Sequence, residues 1–184
     1  MHRALPLPSV VPAIFVAGLN YTTHADEVKL PIPRFPVFAM KSPNALLYPS
    51  DAPAPTPGFG IQRGDTIVVP RHLQQPEDAD YEGEMAIVIG KECRNVPATA
   101  DAVNDVVLGY TAALDITSRR WQGKKGGNQW CFAKSFDTFC PLGPHVVAMP
   151  AEDACSLQIV TRLNGETVQQ DTTASMIFNV VELV

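Results

Sequence analysis

Two carboxylates lie at the start of an apolar run in the stretch Asp80-Tyr81-Glu82-Gly83-Glu84-Met85-Ala86-Ile87-Val88-Ile89-Gly90. The run over residues 85–89 predicts a buried strand, which Gly90 closes. In a strand, residues i and i+2 point to the same face, so Glu82 and Glu84 are expected to project side by side. Like charges held that close repel each other, and burial increases the repulsion. Either both carboxylates face water, or a cation such as a hard divalent metal lies between them.

The composition around this stretch is that of one globular domain. The chain has 184 residues, of which 46% are hydrophobic and 18% charged, and this is enough for a sizeable core. The net charge of −5 argues against nucleic acid as a main partner. No stretch approaches the length of a membrane span, so a membrane partner is not expected either. The 4 cysteines lack CxxC spacing, which favours reduced thiols and a cytoplasmic protein.

Apolar patterning elsewhere predicts a mainly β chain with a few short helices. Asn164-Gly165 lies between two alternating runs and is typical of a type I′ hairpin turn. Further strands are predicted over residues 11–19, 66–69, 82–89 and 110–116. Two segments are expected to be loops: residues 31–57, proline-rich but ordered, and residues 121–130, glycine-rich and mobile.

Threonines mark the predicted helix starts. Thr99 is a good N-cap for a helix over residues 100–108. Thr22 or Thr23 is expected to cap a short helical turn, and Thr172 or Thr173 a C-terminal helix that runs to the end of the chain.

Asp115 adds a third carboxylate, because it ends the strand that follows Glu84 with a helix between them. Three carboxylates at strand ends match octahedral Mg²⁺ or Mn²⁺ with positions left for substrate and water. The alternative is that both glutamates are solvated and that Asp115 caps a helix.

Two further sets of residues could take part in chemistry. His24 and Glu27 share one face of a helical turn, so the carboxylate could orient the imidazole as a general base for water. The alternative is an ordinary surface pair. Lys134 has the apolar neighbours Phe132 and Phe136, and a half-buried lysine needs either a protein carboxylate or an anionic substrate as its partner.

From about Val16 onwards, six ordered motifs make the chain resemble the fumarylacetoacetate hydrolase family. They are Gly18-Leu19-Asn20-Tyr21 with His24 and Glu27; residues 38–41; Asp80-Tyr81-Glu82-Gly83-Glu84; Gly109-Tyr110-Thr111 through Asp115, Ser118-Arg119 and Trp121-Gln122; Lys134-Ser135-Phe136-Asp137 through Pro141-Leu142-Gly143-Pro144; and Leu163-Asn164-Gly165-Glu166.

The resemblance implies an α+β fold, mainly β with a few short helices, of the mixed β-sandwich or β-roll type. It implies a single catalytic domain over residues 1–184, in which residues 20–60 form a lid and a proline-rich loop. By the same resemblance, the metal (Mg²⁺, or Mn²⁺ or Ca²⁺) is bound by Glu82, Glu84 and Asp115, the catalytic residues are His24, Glu27 and Lys134, and the substrate contacts are Arg119, Gln122 and Lys41.

The activity implied is metal-dependent hydrolysis of a C–C bond in a 2,4-dioxo acid of the acylpyruvate or fumarylpyruvate kind, by a homodimer. Oxaloacetate decarboxylation and keto–enol tautomerisation or isomerisation at the same metal site are the alternatives. Family members normally continue past the hairpin with further strands and a substrate-contacting threonine. The resemblance is therefore to a C-terminally short member whose sheet edges would be unpaired, and a truncated, non-catalytic chain is a third alternative.

Overall fold

The computed structural model describes residues 3–58, 60–74 and 78–184. The strands are β1 (Arg3–Leu5), β2 (Ile14–Gly18), β3 (Val37–Lys41), β4 (Leu46–Tyr48), β5 (Gln62–Arg63), β6 (Ala79–Asp80), β7 (Gly83–Ile89), β8 (Val107–Leu114), β9 (Thr117–Ser118), β10 (Cys140–Pro141), β11 (Val146–Ala148), β12 (Gln158–Leu163) and β13 (Glu166–Thr172). The α-helices are α1 (Thr22–Val28), α2 (Ala100–Val106), α3 (Arg119–Gln122), α4 (Trp130–Lys134), α5 (Ala151–Ala154) and α6 (Val180–Leu183). The predicted fold class, mainly strands with a few short helices, is confirmed.

The largest sheet has four antiparallel strands in the order β1-β11-β8-β7. It separates two apolar clusters, because alternate residues of a strand point to opposite faces. Val88 packs into one cluster, and Tyr110 packs into the other. In the second cluster Val103 of α2 and Val180 of α6 cover the sheet. The predicted strands at residues 82–89 and 110–116 are therefore the pair β7 and β8, and their observed ends differ from the predicted ones by at most three residues.

The hairpin β12–β13 is also confirmed. Asn164 and Gly165 both have left-handed backbone angles, with φ of 52° and 87°, as a type I′ turn requires. The hairpin docks on β7 through the side-chain amide of Gln169. Its Nε2 donates to Gly83 O and its Oε1 accepts from Gly83 N, each at 2.8 Å. The amide thus supplies the partner that the edge of β7 would otherwise lack at Gly83.

The loop predicted over residues 31–57 is wrong, because this segment contains β3 and β4. Strand β3 pairs antiparallel with β2, and β4 lies parallel to both β10 and β5. The Leu46 and Tyr48 side chains are buried in the main cluster. Burial of these apolar groups imposes extended structure between the prolines.

The predicted strand over residues 66–69 is wrong, and β5 lies just before it. Val68 N donates to Thr138 Oγ1 at 2.8 Å rather than to a neighbouring strand. The mobile loop predicted over residues 121–130 is also wrong, since α3, a 3₁₀ turn and the start of α4 occupy it. The Trp121 ring packs edge-on against Phe132 at 5.2 Å, and this contact orders the glycine-rich segment.

The helix caps agree with the sequence only in part. Thr99 caps α2 by accepting from Ala102 N, as predicted. The C-terminal helix instead begins at Val180 and is capped by Asn179, while Thr172 caps only a 3₁₀ turn. Within the described part of the chain, no helix is long and apolar enough to cross a membrane.

Gly83 is the position between the two glutamates where we expect substitution to be costly. An added Cβ would overlap Thr161 Oγ1 and crowd Gln169 Oε1, so Gly83→Ala should destabilise the chain by about 1–3 kcal/mol through overpacking. Chemical denaturation measures the loss. The double variant Gly83→Ala/Thr161→Ala removes the overlapping oxygen and should be more stable than Gly83→Ala. Equal stability of the two variants would contradict this account.

Candidate active site

The register of β7 and β8 brings the three carboxylates to one face. Gly83 lies opposite Leu114, and Asp115 N donates to Glu82 O at 2.8 Å, so Glu82 and Asp115 face each other across the strand pair. Opposite residues share a face, as do residues i and i+2. Glu82, Glu84 and Asp115 therefore project from the same side of the sheet.

Helix α4 places the Lys134 ammonium between two of these carboxylates. Lys134 Nζ donates to Glu82 Oε2 at 2.9 Å, to Asp115 Oδ2 at 2.5 Å and to Thr117 Oγ1 at 2.8 Å. The side chain is only 4% exposed, and each of the three ammonium hydrogens has an acceptor. The partner that the sequence requires for a buried Lys134 is thus a pair of protein carboxylates.

Lys41 approaches Asp115 from β3. Its Nζ makes an ion pair with Asp115 Oδ1 and donates to Ile116 O at 3.1 Å, and its side chain is 0% exposed. Burial lowers the pKa of Lys41, and the charge of Asp115 opposes that shift without cancelling it. The structure places Lys41 behind the Asp115 carboxylate, and its contact with a substrate stays a prediction.

Arg119 binds Glu82 through the carboxylate oxygen that Lys134 does not contact. Its Nε donates to Asp80 Oδ2 at 2.8 Å, and its Nη1 donates to Glu82 Oε1 at 2.6 Å and to Gln122 Oε1 at 2.9 Å. Arg119 and Gln122 are thus brought beside Glu82, as the motif predicts. Their contact with a substrate remains a prediction.

The pKa values of the two glutamates are shifted in opposite directions. Burial would raise the pKa of Glu82, but Lys134 and Arg119 outweigh it and hold that pKa below the usual value. Burial, followed by the charges of Glu82 and Asp115, raises the pKa of Glu84 to about 8. Among the described residues, none donates a hydrogen bond to the Glu84 carboxylate. Glu84 is therefore the member for which a negative charge is least favourable, and its raised pKa favours the protonated form near neutral pH.

The donor set suits a hard divalent cation, because all three side chains offer carboxylate oxygens. A cation would also relieve the repulsion at Glu84. As folded, however, the described residues contain no group of three or more His, Cys, Asp or Glu arranged to hold a metal. Lys41, Lys134 and Arg119 occupy oxygens of Asp115 and Glu82 instead. A metal held by Glu82, Glu84 and Asp115 would have to replace some of these ammonium and guanidinium contacts.

His24 and Glu27 lie on α1, with His24 Nδ1 at 3.4 Å from Glu27 Oε2. Both side chains are largely exposed, and no described hydrogen bond or ion pair joins them to the three carboxylates. The start of the helix is closer to the site. Burial, and then the charges of Glu84 and Asp171, raise the pKa of the Tyr21 hydroxyl. His24 and Glu27 are thus paired as predicted, and among the described residues neither makes a hydrogen bond to the three carboxylates.

Thr117 and Asp80 are the site residues that the sequence analysis did not single out. Thr117 Oγ1 accepts from Lys134 and donates to Asp115 O at 3.1 Å. The pairing of β9 with β6 sets Thr117 opposite Asp80. Spacing along the sequence could have identified them. Thr117 lies two residues after Asp115 and Asp80 lies two residues before Glu82, and in an extended chain such residues point to the same face.

The family model described as Fumarylacetoacetate (FAA) hydrolase C-terminal matches residues 13–184. An uncharacterised protein from Archaeoglobus fulgidus is 44% identical over 179 residues, which are 97% of this chain and 62% of that protein. Oxaloacetate tautomerase FAHD2A, mitochondrial, from Homo sapiens is 36% identical over 172 residues, which are 93% of this chain and 49% of that protein. The crystal structure of 5-carboxymethyl-2-hydroxymuconate delta-isomerase from Mycobacterium smegmatis matches with a TM-score of 0.68 and 30% identity, covering 98% of this chain and 62% of that one. The chain spans less than two thirds of each relative's length.

A metal at the three carboxylates should stabilise the folded chain. At 100 times its dissociation constant, Mg²⁺ is expected to add about 2.7 kcal/mol, or about 5–10 °C in Tm for a chain of this size. Glu84→Gln should remove most of that rise, because it removes one anionic ligand. The exposed Glu92 offers a matched control, Glu92→Gln, which should respond like the natural chain. Thermal melts with and without Mg²⁺ measure the effect, and equal rises in both variants would contradict a site at Glu84.

Thr117→Val keeps the shape of the side chain and removes its oxygen. One Lys134 hydrogen would then lack an acceptor in a buried place, at a cost of about 1–3 kcal/mol. Thr117→Ser keeps the oxygen and should lose much less. Urea denaturation of the two variants measures the difference, and a Thr117→Val chain as stable as Thr117→Ser would show that the hydroxyl contributes nothing to holding Lys134.

Proposed function

The chain belongs to the fumarylacetoacetate hydrolase family, and on that premise we propose that it is a divalent-metal-dependent enzyme acting on a small oxo acid. Glu82, Glu84 and Asp115 would hold the metal, with Mg²⁺ as the first choice and Mn²⁺ or Ca²⁺ as alternatives. When bound, the metal supplies Lewis-acid polarisation of the substrate's oxygens. The observation that carries the proposal is the projection of Glu82, Glu84 and Asp115 from one face of the β7–β8 pair.

The protein residues suit reactions that pass through an enolate. A positive group fixed where an oxygen gains negative charge stabilises that charge without having to reorganise. Lys134 Nζ carries such a charge, and Thr117 and the two carboxylates fix its position. Arg119 and Gln122 lie next to Glu82 and would orient the carboxylate of the substrate.

Keto–enol tautomerisation or isomerisation of an oxo acid such as oxaloacetate is the first candidate reaction. It needs proton transfer and enolate stabilisation, and it needs no attacking water. The exposure of the His24 side chain, and the lack of any described hydrogen bond from it to the three carboxylates, favour this reaction. Similarity to an oxaloacetate tautomerase and to an isomerase supports the same reaction.

Hydrolysis of a C–C bond in an acylpyruvate-like 2,4-dioxo acid is the second candidate, and the His24–Glu27 pair favours it. With Nδ1 directed at Glu27, the Nε2 atom of His24 is left to accept a proton from water. The hydroxide would add to the acyl carbonyl, and the C–C bond would break with its electron pair left on the enolate carbon. That carbon then takes up a proton, so the products are a carboxylic acid and a 2-oxo acid.

We also propose a reducing compartment such as the cytoplasm, and a homodimer. All four cysteines are free thiols, which supports the first proposal. The homodimer follows from the family resemblance. The large apolar side chains of Phe15 and Met40 lie opposite each other on β2 and β3 and are 64% and 45% exposed, and such exposed apolar groups suit an interface.

Assays of oxaloacetate and a panel of acylpyruvates with Mg²⁺ test the proposed function. The enol absorbance reports tautomerisation, CO₂ reports decarboxylation, and chromatography reports C–C cleavage. Lys134→Met should lower every activity by about 100-fold or more. His24→Ala should lower cleavage by about 100- to 10,000-fold and leave tautomerisation intact.

Exposed residues of the same types provide the controls, Lys125→Met and His145→Ala, and both should retain full activity. Melting curves verify that Lys134→Met is folded. Full activity of a folded Lys134→Met chain would contradict the proposed role of the lysine. Mg²⁺ binding without turnover of any substrate would favour the non-catalytic alternative.

A further inference from the structure

The segment before α1 is joined to a segment near the far end of the chain. Tyr21 and Met176 form an antiparallel bridge, and Ile177 N donates to Asn20 O at 2.8 Å. We call residues 20–23 together with residues 171–178 the clamp. Its two halves are about 150 residues apart in the sequence, and β12–β13 leads directly into the second half.

Asn20 holds one end of the clamp. Its Nδ2 donates to Phe178 O at 3.0 Å, and its Oδ1 accepts from Phe178 N at 2.9 Å. The residue is 7% exposed, so these two bonds satisfy a buried amide. The side chain therefore binds the Phe178 backbone as a neighbouring strand would.

Asp171 holds the other end. Its Oδ1 accepts from Ser175 Oγ and from Thr172 N, each at 2.7 Å, which fixes the carboxylate in place. Its Oδ2 accepts from Thr23 Oγ1. Thr22 Oγ1 adds a bond to Ser175 O at 3.2 Å. The first two residues of α1 are thus bound through their hydroxyls to the end of β13 and to the turn that follows it.

Helix α1 has little else to set its direction. It is 7 residues long, its N-cap Tyr21 makes no side-chain cap bond, and Ala25 is its one buried residue. A helix this short is not stable by itself in water. Beyond it, Lys29 is left-handed and Leu30 is 56% exposed. The helix is therefore held at its N-terminal end and not at its C-terminal end.

We propose that Asn20, Thr23 and Asp171 are positioning residues for His24 and Glu27. The clamp fixes the start of α1, His24 follows Thr23 directly, and the direction of the helix then sets where the imidazole and the carboxylate lie. The inference rests on the proposed role of the pair in the second candidate reaction. It adds that Asp171, which lies in β13 and outside the six family motifs, shares control of that role with Asn20 and Thr23.

Hydrogen–deuterium exchange of the α1 amides tests the clamp in the full chain. Asn20→Asp removes the donor to Phe178 O, and Thr23→Val removes the hydroxyl bond to Asp171. Each should speed exchange in α1 about fivefold or more, as expected for one lost hydrogen bond, and leave the β12–β13 amides unchanged. Thr23→Ser keeps the hydroxyl and should restore natural exchange. The exposed Thr167 provides the matched control Thr167→Val, which should exchange like the natural chain.

Acylpyruvate cleavage gives the second readout. In Thr23→Val we expect kcat to fall about tenfold with KM unchanged, since the metal and lysine contacts stay in place. Thr23→Ser should recover kcat. The proposal would be overturned if both Asn20→Asp and Thr23→Val exchanged at the same rates as the natural chain. It would also be overturned if Thr23→Val kept its kcat while His24→Ala was inactive. If His24→Ala keeps full activity, the proposed hydrolysis fails, and the exchange rates still decide the clamp.

Discussion

Compensation of negative charge by the Lys134 ammonium is the interaction on which the site depends. Glu82 and Asp115 face each other across an antiparallel pair, where like charges are destabilising. Lys134 donates to both of them and to Thr117. The ammonium charge therefore offsets the repulsion between the two carboxylates, and each ammonium hydrogen has an acceptor. Removing Lys134 would leave Glu82 and Asp115 facing each other, and breaking a buried ion pair in this way is strongly destabilising.

The ion pairs that compensate these carboxylates also bring together segments that are distant in the sequence. Lys41 comes from β3 and Lys134 from α4, while Asp115 follows β8, so three elements far apart in sequence meet at one carboxylate. Arg119 adds the segment after β9 by bridging Asp80 and Glu82. The protein side of the site is therefore nearly neutral without Glu84. Ionised Glu84 would add a negative charge without a partner, and its buried surroundings oppose that by raising its pKa to about 8.

The sequence predicted best those features that rest on local periodicity. The strands β7 and β8, the Asn164-Gly165 hairpin and the Thr99 cap follow from spacing and turn chemistry, which act over a few residues. Strand β4 was missed because burial against distant partners outweighed the proline content, and β3 was missed because it forms by pairing with β2. Thr117 was missed for a similar reason, since its role depends on Lys134, which lies on α4, a helix that the sequence analysis did not predict.

Strand β13 contacts both halves of the candidate site. Gln169 binds the backbone of Gly83, between the two glutamates, and Asp171 binds Thr23, next to His24. The two side chains are at i and i+2, so they leave the strand on the same face, about 7 Å apart. Insertion or deletion of a single residue between them would turn one of these side chains to the opposite face. A change in chain length at this point would therefore disrupt the candidate site. The spacing of residues 169 and 171 is thus more informative about an intact site than the identity of residue 170.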